Sequence, residues 1–121
     1  MSKIVRRIAQ DIRGADNIQE LARKIQKTRN GLYNVTELEG FEERNQISSG
    51  HSTGSLHYSG RAFDVNTNRG NNSSFEDKAL GQLARAVQRQ YGNRVDEWLG
   101  PWNNAPGHGT HGHFGFDRKK L

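Results

Sequence analysis

The five histidines of this chain fall in two short stretches: His51 and His57 in HSTGSLHYSGRAFDV, and His108, His111 and His113 in GHGTHGHFGF. A residue type confined to two patches implies that the fold brings them together, and the commonest reason to gather imidazoles is a metal ion. The first patch reaches Asp64, seven residues after His57 and across Gly60, which lets the chain turn between them. In the second, His111 and His113 are two apart, so both side chains can point to one side of a strand. Neutral imidazole together with carboxylate suits zinc, and three protein ligands would leave the fourth tetrahedral position to water, as in catalytic sites. Zinc lowers the pKa of such a water to roughly 7 and polarises a carbonyl oxygen. Peptide hydrolysis then needs a base for the water's proton and a donor for the leaving amine, and a histidine beside the metal can do either. Nickel, cobalt or manganese fit the same nitrogen and oxygen ligands.

Such residues need elements to hold them. Ile4, Val5, Ile8 and Ile12 recur at helical spacing, and Gly14 reads as a stop. Asp16 reads as the N-cap of a second helix, with Gln19 at capping-box spacing and Ile18, Leu21, Ala22 and Ile25 as its apolar stripe. The basic residues of this first quarter read as solvated faces of packing helices, with an electrostatic arm as the alternative. Asn30-Gly31 marks a turn, and Leu32 to Leu38 alternates like a strand. Glu39 to Gly54 reads as a polar loop that carries His51, and loops of this length in small domains are functional or mobile.

Arg61 to Asn66 reads as a strand with Ala62, Asp64 and Asn66 on one face and Phe63 and Val65 on the other. An aspartate there is costly unless something pairs with it. Ser74 reads as the cap of a helix whose apolar face is Leu80, Leu83, Ala84, Val87 and Tyr91. Val95 to Leu99 reads as a strand, Pro101 to Gly109 as a loop, and His111 to Phe116 as the last strand. In that strand Phe114 and Phe116 share a face with Gly112, opposite His111, His113 and Gly115. Trp98 and Trp102 read as core and rim packing, with a substrate-stacking platform as the alternative.

The chain is short enough for a single domain, and its core is lean, since 31% of its residues are apolar. The absence of cysteine excludes disulfides and thiolate-ligated metal. A formal charge of +5 favours anionic partners: nucleic acid, acidic membrane or a cell-wall polymer. Charge alone supports nucleic acid, without any recognition motif, so neither nucleic acid nor membrane is expected as a partner. The start MSKIVRR leads into no long apolar run, so synthesis in the cytoplasm without a signal peptide is expected.

The stretch SLHYSGRAFD fits the pattern Ser-x-His-x-x-Gly-x-Ala-x-Asp. It resembles the signature of the zinc peptidase superfamily that unites lysostaphin-type enzymes, D-alanyl-D-alanine peptidases and hedgehog signalling domains. The wording around it, with His51 six residues before His57, is especially similar to hedgehog amino-terminal domains. The tail His108-x-x-His111-x-His113 is similar to that of D-alanyl-D-alanine carboxypeptidases and murein endopeptidases. The resemblance runs from about Leu32 to Asp117. It implies an α+β fold in which a small antiparallel sheet carries the metal site and helices flank it. Residues 1–121 would form one domain, with 1–30 as its helical part and 31–117 as its motif-bearing part.

Residue by residue, the resemblance implies one zinc ion on His57, Asp64 and His113. His111 would be the general base or transition-state stabiliser, His108 would line the site, and His51 would close it from the loop. Ser55 matches the family serine, in a supporting role. Arg61 sits at a variable position, where it could grip a substrate carboxylate or face solvent. Many members carry a catalytic glutamate where this chain has Thr110, and hedgehog proteins carry one where it has Gly107. The tail therefore offers no carboxylate base, and Glu97, on a strand, is the nearest candidate although its position matches no motif. Asp16 and Glu37 stand in contexts similar to hedgehog calcium ligands, so calcium is a second cofactor to look for.

Two functions follow as expectations. The first is a monomeric zinc metallopeptidase that cuts peptidoglycan peptides, as a D,D- or L,D-peptidase or an endolysin-like enzyme. It would act on the cell wall as a phage lysis or virion protein. The second is a hedgehog-like interaction module whose zinc is structural or vestigial.

Overall fold

The computed structural model describes residues 2–41, 47, 51, 54–68, 74–103, 109 and 111–121. Its helices are α1 (Lys3–Ile12), α2 (Ile18–Lys27) and α3 (Ser74–Tyr91). Its strands are β1 (Tyr33–Thr36), β2 (Ala62–Thr67), β3 (Val95–Leu99) and β4 (Gly112–Phe116). The strands form one antiparallel sheet in the order β1-β2-β4-β3, so the fold is α+β as expected. No described helix is long and apolar enough to cross a membrane.

The helices form where the apolar spacing places them, with two corrections of detail. Val5, Ile8 and Ile12 are buried in α1, but Ile4 stays 42% exposed and Ala9 takes its place in the core. The cap of α2 is Asn17 rather than Asp16: its side chain accepts from the Glu20 amide at 2.8 Å. The Glu20 carboxylate reaches back to accept from the Asp16 amide at 3.4 Å, one residue before the cap, so the reciprocal half of the expected capping box is displaced. Both helices pack into the core, which favours the packing reading of the first quarter over a free arm.

The sheet joins α3 by apolar burial and by two ring-borne hydrogen bonds, and a third ring ties α3 to the other helices. Phe63, Val65, Phe114 and Phe116 are wholly buried on the face that meets the helical layer. Tyr33 donates its hydroxyl to the carbonyl of Ala79 at 2.7 Å, and Trp98 donates its indole N–H to that of Ala84 at 3.2 Å. Tyr91 donates to the carbonyl of Ile12 and accepts from the amide of Ala15 at 3.0 Å, which pins the α1–α2 turn to the end of α3. Trp102 stacks on Phe114 and lies against Trp98, so both tryptophans pack on the core.

Register explains how the second face is composed. Phe63 pairs with Phe114 and Val65 with Gly112, which leaves Asp64 opposite His113 on the other side of the sheet. The last strand starts at Gly112, one residue later than expected, so His111 stands just before it. Most of the loop expected over Glu39 to Gly54 lies outside the described residues, as do 69–73 before Ser74 and 104–108 of the loop expected over Pro101 to Gly109.

Candidate metal centre

His57 is presented by a tight turn. Leu56–Ser59 form one 3-10 turn in which the Ser55 hydroxyl accepts from the His57 amide at 3.2 Å. Gly60 closes the turn at φ 70°, a left-handed conformation that favours glycine, and the chain enters β2. Asp64 and His113 come from the two central strands, side by side in register. A turn and two neighbouring strands thus bring together residues from the two halves of the sequence.

The donor atoms converge. Asp64 Oδ1 lies 3.6 Å from His57 Nε2 and 3.0 Å from His113 Nδ1. All three donors fall within 4.8 Å of one another, on residues that are buried. Tetrahedral zinc with bonds of about 2.0–2.1 Å holds its ligand atoms about 3.3–3.4 Å apart, so the two contacts to Asp64 bracket that separation. Among the described residues this is the single group of three or more such side chains close enough to share an ion. Asp16 and Glu37 do not join it, so nothing described assembles the acidic set that calcium requires.

Each imidazole is held from behind. His57 donates from Nδ1 to the backbone carbonyl of Glu37 at 2.7 Å, which turns the Nε2 lone pair toward Asp64. His113 has its Nε2 2.7 Å from Glu97 Oε1, with Nδ1 toward Asp64. The two rings therefore face the cluster through different nitrogens. Outer partners of this kind are what fix the tautomer of a metal-ligating histidine.

The electrostatics differ between the two. Burial pushes the His57 pKa down, against smaller upward pulls from the Glu37 carbonyl and the Asp64 charge. For His113 burial also acts downward, but hydrogen bonds and charges from Asp64 and then Glu97 outweigh it, and the net shift is upward.

The remaining expected residues take these places. His111 Nε2 lies 3.7 Å from Asp64 Oδ2, at the rim of the cluster. His51 stacks on His57 with ring centroids 4.2 Å apart, and its Nε2 pairs with Glu37 Oε1 at 3.1 Å. Arg61 is engaged with the protein, donating to the Asp117 carbonyl at 3.0 Å and to the Ser59 hydroxyl at 3.1 Å. His108 and Thr110 lie outside the described residues. A cleft of about 430 Å³ opens over the cluster, lined by His51, Ser55, Glu97, Leu99 and His111 as well as the three candidate ligands.

Two residues matter more than the sequence indicates. Glu37 grips both His51 and His57, one through its side chain and one through its backbone. It does so in a left-handed conformation, φ 61°, that nothing in its residue type announces. Glu97 sits against His113 although no motif points to it. The signal that could have found it is a strand bulge, which alternation alone does not reveal.

Comparison with known proteins agrees with the wording of the first histidine patch. No curated protein and no solved structure matches the chain. Residues 3–92, about three-quarters of the sequence, match the family model of the Hedgehog amino-terminal signalling domain; the match includes His57 and Asp64 and ends before β3 and β4. With the turn, the strand and the aspartate all inside that match, the chain belongs to the Hedgehog amino-terminal signalling domain family.

Proposed function

We propose that this chain is a zinc metallopeptidase of the superfamily that includes D-alanyl-D-alanine peptidases, and that it hydrolyses peptide bonds of peptidoglycan. The observation that carries the reading is the convergence of His57, Asp64 and His113, with donor atoms within 4.8 Å of one another, in an open cleft. Zinc held there would supply an acidified water and a polarised carbonyl. His111, beside Asp64 and partly exposed, would accept the water's proton and return it to the leaving amine. His51 walls the cleft on the loop side, and His108 is assigned to the lining by the motif alone. The basic balance suits an anionic wall polymer, reached as a lysis or virion protein.

A second reading has its own support. The matched family is a signalling domain, and both nearby carboxylates, Glu37 and Glu97, are engaged with histidines. A module that binds zinc without turnover would need no free base. The two readings part on one experiment: purified peptidoglycan incubated with the protein, with and without chelator, and with His111→Ala. The enzyme releases new amino groups, stops on chelation, and slows by about 10²–10⁴-fold in His111→Ala while keeping its zinc. Tight zinc with no new amino groups would establish the module instead.

A further inference from the structure

We propose that Glu97 is the positioning residue for His113, holding it as an Nδ1 metal ligand; this rests on the metal-site reading above, not on peptidase activity. The geometry is direct. Glu97 Oε1 lies 2.7 Å from His113 Nε2, on the side of the ring away from Asp64. A carboxylate there fixes the proton on Nε2, frees the Nδ1 lone pair and raises the basicity of the ligand.

Three features of the fold bring Glu97 there. Val95 pairs with Phe116, yet Glu97 rather than Asp96 pairs with Gly115, because the register slips between Val95 and Glu97. Without that bulge Glu97 would stand opposite Phe114 and point at the helices; with it Glu97 turns to the cleft and Trp98 to the core. Gly115 then clears the floor. A Cβ at Gly115 would come 2.6 Å from Glu97 Oε1 and 3.0 Å from Glu97 Cβ, so the space of a side chain is already taken by Glu97. Leu99, opposite His113, flanks the ring on the same face.

A chance surface pair is the competing explanation, and it predicts no measurable change in zinc affinity, since exposed ion pairs are weak and set no ligand geometry. The test uses the full chain and zinc itself. Zinc affinity is read by competition with a chromophoric chelator in the wild type, Glu97→Ala, Glu97→Gln, Gly115→Ala and the exposed neighbour control Asp96→Asn. Long-range proton–nitrogen NMR on the zinc form reads which nitrogen of His113 carries the proton. Glu97→Ala should weaken zinc roughly 10–100-fold, with partial recovery in Glu97→Gln, whose amide oxygen still accepts. Gly115→Ala should follow Glu97→Ala, Asp96→Asn should match the wild type, and the His113 proton should sit on Nε2. Wild-type affinity in Glu97→Ala, or a His113 that ligates through Nε2, overturns the proposal. If the wild type binds no zinc, the metal-site reading fails first and takes this role with it. Should Gly115→Ala not fold, the two Glu97 variants at the sheet edge decide the matter.

Discussion

The two faces of the four-stranded sheet are built from the same strands and do opposite work. Toward the helices stand Phe63, Val65, Trp98, Phe114 and Phe116, apolar and packed. Toward the cleft stand Asp64, Glu97 and His113, joined by hydrogen bonds rather than by apolar contact. Strand alternation puts the two sets one residue apart, so each strand carries core and site at once. Stability should therefore live on one face and metal affinity on the other, and each can be perturbed with modest effect on its neighbour.

Breaking the packed face should have the largest effect on the fold. Phe114→Ala, at a wholly buried ring in contact with Phe63 and Trp102, should cost about 3–5 kcal/mol in denaturant unfolding, with chelator present or absent. A loss that appeared only in the zinc-loaded form would mean that the ring serves the site and that the faces are not separate.

The polar face should answer to pH. With burial holding the His57 pKa down and Asp64 and Glu97 holding that of His113 up against burial, His113 is the one of the two that keeps a proton to higher pH. Zinc must displace that proton. Its affinity should rise about tenfold per pH unit up to the folded pKa of His113, above the ordinary imidazole value, and flatten beyond it. For the metal-free fold the signs are separate. The raised pKa of His113 contributes stability below the unfolded imidazole value, lost as pH rises through the folded one. The lowered pKa of His57 contributes stability above the unfolded value, lost as pH falls toward the folded one. Zinc titrations across this range check the first statement, and unfolding of metal-free His113→Ala beside the wild type checks the second.

The smallest effect tests whether the helical layer is independent of the site. Asn17→Ala removes the α2 cap and should cost about 1 kcal/mol while zinc affinity stays unchanged.

Much of this arrangement is legible in the sequence, for reasons that differ by residue. Ile8, Ile12, Leu21 and Ile25 announce their helices because burial selects a period that the chain displays. Asp64 announces the site because a carboxylate among strand residues needs a partner, and the histidine patches supply one. Asn17 displaces Asp16 as the cap because both residue types suit the role, and spacing alone cannot choose between neighbours. Glu97 is illegible by alternation, since one inserted residue reverses which face it occupies. Glu37 is illegible because it holds His57 by its backbone carbonyl, which every residue has.

The central claim is that His57, Asp64 and His113 enclose one cation. Anomalous diffraction at the zinc edge from crystals grown with zinc tests it most directly. A single strong peak is expected about 2.0–2.2 Å from His57 Nε2, Asp64 Oδ1 and His113 Nδ1, with a fourth position open to the cleft. No peak there, or His57 and His113 turned apart with Asp64 paired elsewhere, would contradict it.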